Sequence, residues 1–342
     1  MTGGVAPRAS TRLPPSPGVL LLYNVDPHWE PEEQHRVARE GRRLGTAIRR
    51  RGHRVSLLEI RGNHLADTLA AYDPADTVVF NWCECIPGEA RSEATVVEVL
   101  EALGFPYTGA TAEGIRLSID KPRSRALLEE HGVAVPRWAQ FDRPGQHAWE
   151  LFPAIVKPAW LHSSIGVDRW AVVLDADELQ RRVAHVITTF EQPALVEDFI
   201  DGREFHVAML GNDSVEMLPP VEMDFSAFGD VRDRLCTYEA KFDAESTACR
   251  KIRSRIPARL SAAERAALEA TCQTAFRVGG CRDYGRIDVR ERDGRLYVLD
   301  VNANADLSAD ASIALAALKA GFCYGALGSR LVEWAQNRAP HQ

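Results

Sequence analysis

Two short segments near the end of the chain, Arg286-Ile287-Asp288-Val289 and Leu299-Asp300-Val301-Asn302, constrain the fold more than any other feature. Between them, Asp293-Gly294 asks for a tight turn and therefore a β-hairpin. Pairing register then decides which side chains share a face. A two-residue loop of Asp293 and Gly294 opposes Asp288 to Leu299 and sends the two carboxylates to opposite faces. A three-residue loop, Asp293 to Arg295, opposes Asp288 to Asp300 and Arg286 to Asn302. That second register gathers three oxygen ligands and one guanidinium in a compact patch. Such a patch suits Mg²⁺ and phosphate, because Mg²⁺ takes few carboxylates and leaves its other positions to water and phosphate oxygens. The plainer alternative is a solvated strand face on which Asp and Arg merely pair.

Other residues bear on the choice. Lys157 ends the apolar run Ala154-Ile155-Val156 just before Pro158, and a desolvated ammonium at the end of a buried strand requires an anion or carbonyl partner. The adjoining loop Ser163-Ser164-Ile165-Gly166 offers hydroxyls and a flexible backbone able to fold over phosphates, although such a segment by itself is an ordinary turn. Lys121 stands at a helix start after Asp120, and Lys241 lies in Tyr238-Glu239-Ala240-Lys241-Phe242; alone, both read as surface lysines. Glu197 interrupts the apolar stretch Ala194 to Ile200. As a strand-end acid it can read the exocyclic amine and ring nitrogen of adenine, with Glu204 on the next strand bonding ribose hydroxyls; the alternative is two edge-strand acids facing water.

The chain has 342 residues, more than one typical core of ~100 to 200, so two or three subdomains are expected. Its 45% apolar and 26% charged content describes a folded, water-soluble protein, and a net charge of −7 argues against a nucleic-acid partner. No stretch approaches the ~18 consecutive apolar residues of a membrane span. Seven cysteines without CxxC spacing favour reduced thiols and a cytoplasmic location; Cys83 and Cys85 read as ordinary thiols. Residues 1–18 read as a flexible tail. From 19 to about 110, strands at Val19–Val25, Arg54–Ile60 and Thr77–Trp82 alternate with helices at Glu32–Arg51, whose apolar stripe is Val37, Leu44 and Ile48, and Arg91–Leu103, which predicts a small parallel α/β layer. Beyond it the pattern predicts a helix at Pro122–His131, strands at Trp170–Leu174, Glu204–Leu210 and Val215–Val221, a helix at Ser261–Val278, the hairpin within Asp283–Val301, and closing helices from about Asp310.

In order and spacing, PYTGA, SIDKPRSRALLEEHGVAVP, PAIVKPAWLHSSIGV, LVEDFIDGREFHVAML, YEAKF and GCRDYGRIDVRERDGRLYVLDVNANADLS resemble the ATP-grasp superfamily, and within it the D-alanine:D-alanine ligase family. The resemblance covers roughly residues 77 to 335. It implies an α/β (α+β ATP-grasp) fold: an N-terminal preATP-grasp domain at 19–110, a central subdomain at 111–199 and a C-terminal subdomain with the metal site at 200–342. ATP would be gripped between the last two. Matched to the family pattern, Lys121 and Lys157 hold the inner phosphates, Ser163 and Ser164 cover them, and Lys241 in a mobile loop approaches the γ-phosphate. Glu197 and Ile200 border adenine and Glu204 binds ribose. Asp288, Asp300 and Asn302 ligate two Mg²⁺, or Mn²⁺, and Arg286 steadies the transferred phosphoryl group and the oxyanion. The resemblance also implies a homodimer formed through the first domain.

Departures from the family pattern concern the substrates. The first loop reads Asn24-Val25-Asp26-Pro27-His28-Trp29 and lacks the usual glycine-rich signature with its glutamate. His162 replaces a glycine before Ser163, Phe242 replaces a tyrosine after Lys241, Asp300 replaces a glutamate, and Ala303 to Ser308 replaces the usual run after Asn302. A pocket among His28, His162, Phe242, Asp306 and Ser308 would then hold amino-acid-like substrates other than a pair of D-alanines. The expected activity is an ATP-dependent carboxylate-amine ligase working through an acyl phosphate in specialised biosynthesis. The alternatives are a D-alanine:D-alanine ligase of cell-wall synthesis and a non-catalytic ATP-binding regulatory protein. A dehydrogenase is disfavoured, because no GxGxxG follows the first strand. The basic run Arg250, Lys251, Arg253 and Arg255 reads best as a solvated face.

Overall fold

A computed structural model describes residues 18–89, 91–161, 164–237 and 250–338. His162, Ser163, Lys241 and Phe242, all singled out by the sequence, lie outside the described residues.

The first layer is a parallel sheet in the order β2-β1-β3, from Val55–Ile60, Gly18–Asn24 and Thr77–Trp82. Strand β1 is apolar from Val19 to Leu22 because both its faces are covered. Leu20 and Leu22 pack toward Val96, Val97 and Leu100 of helix α3 (Glu93–Ala102). Val19, Leu21 and Tyr23 pack toward Leu44 and Ile48 of α1 (Pro31–Arg49). Helix α1 starts with proline and two glutamates in its first turn and ends on Arg49, a charge order its dipole favours. Of the expected stripe Leu44 and Ile48 are buried, whereas Val37 is half-buried and Ala38, Gly41 and Gly45 complete the face. A short helix α2 (Leu65–Leu69) completes the layer.

Two sequence-silent elements follow. Helix α4 (Ala112–Ile119) starts on Thr111, whose hydroxyl accepts from the Gly114 amide at 3.2 Å, and strand β4 is Trp138–Phe141. Between them α5 (Lys121–Glu130) is capped by Asp120. The central sheet is antiparallel, in the order β4-β7-β5-β6, where β5 is Ala154–Pro158, β6 Val172–Val173 and β7 Ala194–Asp198. One of its faces packs on α6 (Ala176–Phe190) through Val156, Val196, Val183 and Val186. The strand expected at Trp170–Leu174 shrinks to β6, because Arg169–Ala171 winds into a single 3₁₀ turn.

The third sheet runs β11-β10-β8-β12-β13, with β9 on β8. Its strands are β8 Arg203–Gly211, β9 Val215–Met217, β10 Val221–Asp224, β11 Arg253–Arg255, β12 Asp283–Arg292 and β13 Arg295–Asn302. The single strand expected at Val215–Val221 is two, split where Pro219 and Pro220 remove the ladder donors. The basic run is exposed at Arg250, Lys251, Arg253 and Arg255, in keeping with a solvated face. Helix α7 (Ala262–Val278), capped by Ser261 and Glu264 bonding reciprocally, covers the apolar face made by Val207, Ile287, Val289 and Val301. The chain then returns to the first layer. Helix α8 (Ser312–Lys319) places Ile313 and Ala316, and α9 (Tyr324–Asn337) Leu327, Leu331 and Val332, in the same core as Val19 and Leu21. Gly325 permits this approach, since a Cβ there would lie 2.4 Å from the Ala47 carbonyl oxygen of α1. No single helix among the described residues is long and apolar enough to cross a membrane.

The hairpin corrects one expectation. Its loop has two residues, Asp293 and Gly294, both with positive φ (55° and 76°), as a type I′ turn demands. Arg292 therefore pairs with Arg295, a register that would misalign the carboxylates. A bulge restores it: Val289 pairs with Val298, but Asp288 pairs with Asp300, leaving Leu299 as the extra residue. Asn302 comes opposite Arg286.

Candidate active site

Opposite the α7 face, alternation along β12 lines up Arg286, Asp288 and Arg290, with Asp300 and Asn302 across from the first two on β13. From the other side, β8 places His206 opposite Asp288 and Glu204 opposite Arg290. Arg286 donates to both oxygens of Asp288 at 2.7 and 2.9 Å, and the Asn302 amide donates to Asp288 Oδ2 at 3.2 Å. Burial works against the Arg286 charge, but Asp288 outweighs it and holds the guanidinium pKa above its ordinary value. Asp306 contributes in the same sense, so the loop after β13 lies within electrostatic reach.

The central sheet supplies the facing wall. Lys157 and Glu197 project from the side of β5 and β7 away from α6, and Lys157 Nζ lies 2.7 Å from Glu197 Oε2 and 4.0 Å from Asp300 Oδ2. Glu197 is 1% exposed, and its other oxygen accepts from Arg125 Nε of α5 at 2.6 Å. Burial pushes the Glu197 carboxyl pKa up, and the charges of Arg125 and Lys157 more than reverse this. Lys121 is buried at the start of α5 and donates to the Leu161 carbonyl. Burial brings its pKa down from 10.5 to about 8, with the charges of Lys157 and Arg125 adding to the effect and Asp300 opposing it.

Several sequence-based readings change. Neither Glu197 nor Glu204 is an edge-strand acid facing water: both are buried on interior strands. Glu197 interrupts its apolar strand because it pairs internally with Arg125 and Lys157. Glu204 accepts from Arg290 Nε at 2.7 Å and from His206 Nε2 at 3.1 Å, while Arg290 also donates to the Ile200 carbonyl at 2.8 Å. Ligand atoms of Glu204, His206 and Cys236 lie within 4.8 Å of one another, but the guanidinium on Glu204 already supplies the positive charge a cation would bring. Lys121 is not a surface lysine. Ser164, at φ 61°, bonds through its hydroxyl to the Cys236 carbonyl at 2.9 Å, joining the loop after β5 to the one before β11.

Of the substrate candidates, His28, Asp306 and Ser308 lie among the described residues. Asp306 accepts from the amide and hydroxyl of Ser308 at 2.8 and 2.7 Å. His28 is mostly exposed and pairs with Asp26 at 2.9 Å in the loop after β1. Sequence reasoning missed Arg125, Arg290, His206 and Tyr284, whose hydroxyl donates to Asn304 at 3.0 Å. A signal for Arg125 existed: Lys121, Arg125 and Leu128 fall at helical spacing and form the buried stripe of α5.

A profile of the family described as D-ala D-ala ligase C-terminus matches residues 127–333. The chain belongs to the D-alanine–D-alanine ligase family. The D-alanine–D-alanine ligase of Halorhodospira halophila is 30% identical over 298 residues, 86% of this chain and 89% of the relative. A protein of Sinorhizobium fredii described as uncharacterized protein y4sG is 35% identical over 329 residues, 94% of each. The same fold is found in the D-alanine–D-alanine ligase from Bacillus anthracis complexed with ATP, at a TM-score of 0.71 and 18% identity, covering 92% of this chain and 97% of that one. The expected ATP-grasp fold is therefore borne out, and with it the reaction class, an ATP-dependent ligase that forms C–N bonds.

Proposed function

We propose that this family member couples a carboxylate and an amine of amino-acid-like substrates at the expense of ATP, and that at least one substrate is not D-alanine. The observation that carries the reading is the two-walled polar site: Asp288, Asp300, Asn302 and Arg286 on one sheet face Lys157 and Lys121 from the other side. Two carboxylates and an amide oxygen are hard donors, few in charge, and suit Mg²⁺ better than a softer metal. Asp288, Asp300 and Asn302 would hold it, and once bound it would supply positive charge against that of the phosphates.

Lys121 and Lys157, now paired with a carbonyl and with Glu197, exchange part of that pairing for the inner phosphates of ATP. The carboxylate of the first substrate attacks the γ-phosphorus and ADP leaves, giving an acyl phosphate. The amine of the second attacks that carbonyl, phosphate departs, and an amide results. Arg286, fixed by Asp288, steadies charge on the transferred phosphoryl group and on the tetrahedral oxyanion. Glu204 and Ile200 border the nucleoside, and Lys241 with Ser163 closes over the phosphates, roles supported by the family likeness. Retention of Lys157, Arg286, Asp288, Asp300 and Asn302 argues for turnover over a purely regulatory protein.

Substrate choice is assigned to the rebuilt loops that carry His28, His162, Phe242, Asp306 and Ser308. Free thiols at Cys83, Cys85, Cys272, Cys281 and Cys323 support a reducing, cytoplasmic setting. A homodimer through the first domain rests on the family likeness. The test is turnover with a panel of amino acids, scored by ADP release and by the mass of the coupled product. Stimulated ADP release with a new amide mass is the expected result, and efficient D-alanyl-D-alanine synthesis would overturn the substrate assignment.

A further inference from the structure

The bulge that aligns Asp288 with Asp300 has no cause within the hairpin itself. Its turn is a two-residue loop that sets the other register, and Leu299 is left out of the β12 ladder. What holds it comes from α5 and the loop beyond. Arg125 Nη2 donates to the Leu299 carbonyl, the Val298 amide donates to the Ala134 carbonyl at 2.9 Å, and Arg125 Nη2 stands 3.4 Å from Asp300 Oδ1. With its Nε, the same guanidinium grips Glu197 at 2.6 Å, and Glu197 in turn aims Lys157. Arg125 is 1% exposed, so these are desolvated charges whose geometry is fixed.

We propose that Arg125 is a positioning residue: by occupying the carbonyl of the bulged Leu299 it keeps Asp300 facing Asp288, and by holding Glu197 it couples that alignment to Lys157 across the two walls. The planar fork matters. A single ammonium reaches Glu197 or Leu299 but not both, so lysine is no substitute here. This inference rests on the assignment of Asp300 to the divalent site.

The test compares wild type with Arg125→Lys and Arg125→Met. Mn²⁺ binding to the protein with a non-hydrolysable ATP analogue is followed by electron paramagnetic resonance, and amide exchange across residues 296–302 is followed by mass spectrometry without metal. In Arg125→Lys, Mn²⁺ affinity falls by roughly 10- to 100-fold, the range for losing a partner that orients a metal ligand. Exchange at 298–300 speeds up, while analogue affinity without metal stays within about threefold, a limit set by retention of the Glu197 contact. Arg125→Met shows both losses. Unchanged Mn²⁺ affinity and exchange in a folded Arg125→Lys protein would overturn the proposal. So would failure of that variant to fold, because a positioning role leaves the fold standing. If wild type itself binds no Mn²⁺ with the analogue, the divalent-site assignment fails; if only the variants behave like wild type, the Arg125 role fails alone.

Discussion

Arg286 holds both carboxylate oxygens of Asp288, its neighbour two positions along β12, in a fork of 2.7 and 2.9 Å. The acid is thus already neutralised and oriented by a cation that shares the site. Replacing Asp288 by asparagine keeps the shape and removes the charge. Because the Arg286 side chain is 15% exposed and can reach water, the fold should survive. Divalent-dependent turnover should drop by roughly 10³-fold or more, the several kcal/mol of charge stabilisation at stake. Steady-state rates across a Mg²⁺ titration, beside a melting curve, check this; retained activity removes Asp288 from the metal set.

Lys157 faces Glu197 at 2.7 Å, and Glu197 keeps Arg125 as a second partner when the lysine is gone. Lys157→Ala should therefore leave a folded protein with weak nucleotide binding. Loss of one charge-assisted contact to phosphate is worth about 2–3 kcal/mol, or roughly 30- to 150-fold in Kd. Calorimetry with ATP measures it directly, and an unchanged Kd contradicts a phosphate role.

Lys121 gives the site a pH signature. Its pKa in the folded protein is about 8, below the ordinary 10.5, mainly because it is buried. Above about pH 8 the free protein loses this proton, while bound phosphate favours keeping it. Nucleotide affinity should thus fall as pH rises through 8, with proton uptake on binding visible as a buffer-dependent heat. Lys121→Met should flatten the profile. For stability the sign is opposite: burying this charge disfavours the folded state below about pH 8, and because the unfolded chain holds the proton up to about 10.5, that cost is relieved and stability rises between about 8 and 10.5.

Asp283 is fully buried at φ 65° and receives Arg338 at 2.5 and 2.7 Å, the Gly109 amide at 2.8 Å and Asn212 at 3.1 Å. It ties β12 to the backbone at Gly109 and to Arg338 just past α9. Asp283→Ala should cost about 3 kcal/mol, at the low end for breaking a buried pair, because Arg338 is 22% exposed and can find water. Urea unfolding gives the value; a loss under about 0.5 kcal/mol, the size of a neutral surface change, would refute it.

What was legible in the sequence was local. Both-sided apolarity announced β1, and Asp293-Gly294 announced the hairpin, because each depends on neighbours within a few residues. Asp288, Asp300 and Asn302 could be grouped for the same reason. The mechanism that groups them could not be read: the bulge is held by Arg125, 174 positions from Leu299, and no periodicity encodes that contact. Glu197 illustrates the same limit. Its place in an apolar strand marked it as unusual, but only the folded chain shows that Arg125 and Lys157 occupy it. The split at Pro219-Pro220 is legible in the sequence, since paired prolines cannot sit in an interior strand.

Leu327, Leu331 and Val332 of α9 complete the core begun by Val19, Leu21 and Tyr23 of β1. During synthesis the opening layer therefore leaves the ribosome with that flank covered by α1 alone, some three hundred residues before the rest of its cover is made. The nascent protein must keep that sticky flank from straying until the closing helix arrives, so β1 is sealed long after it is made.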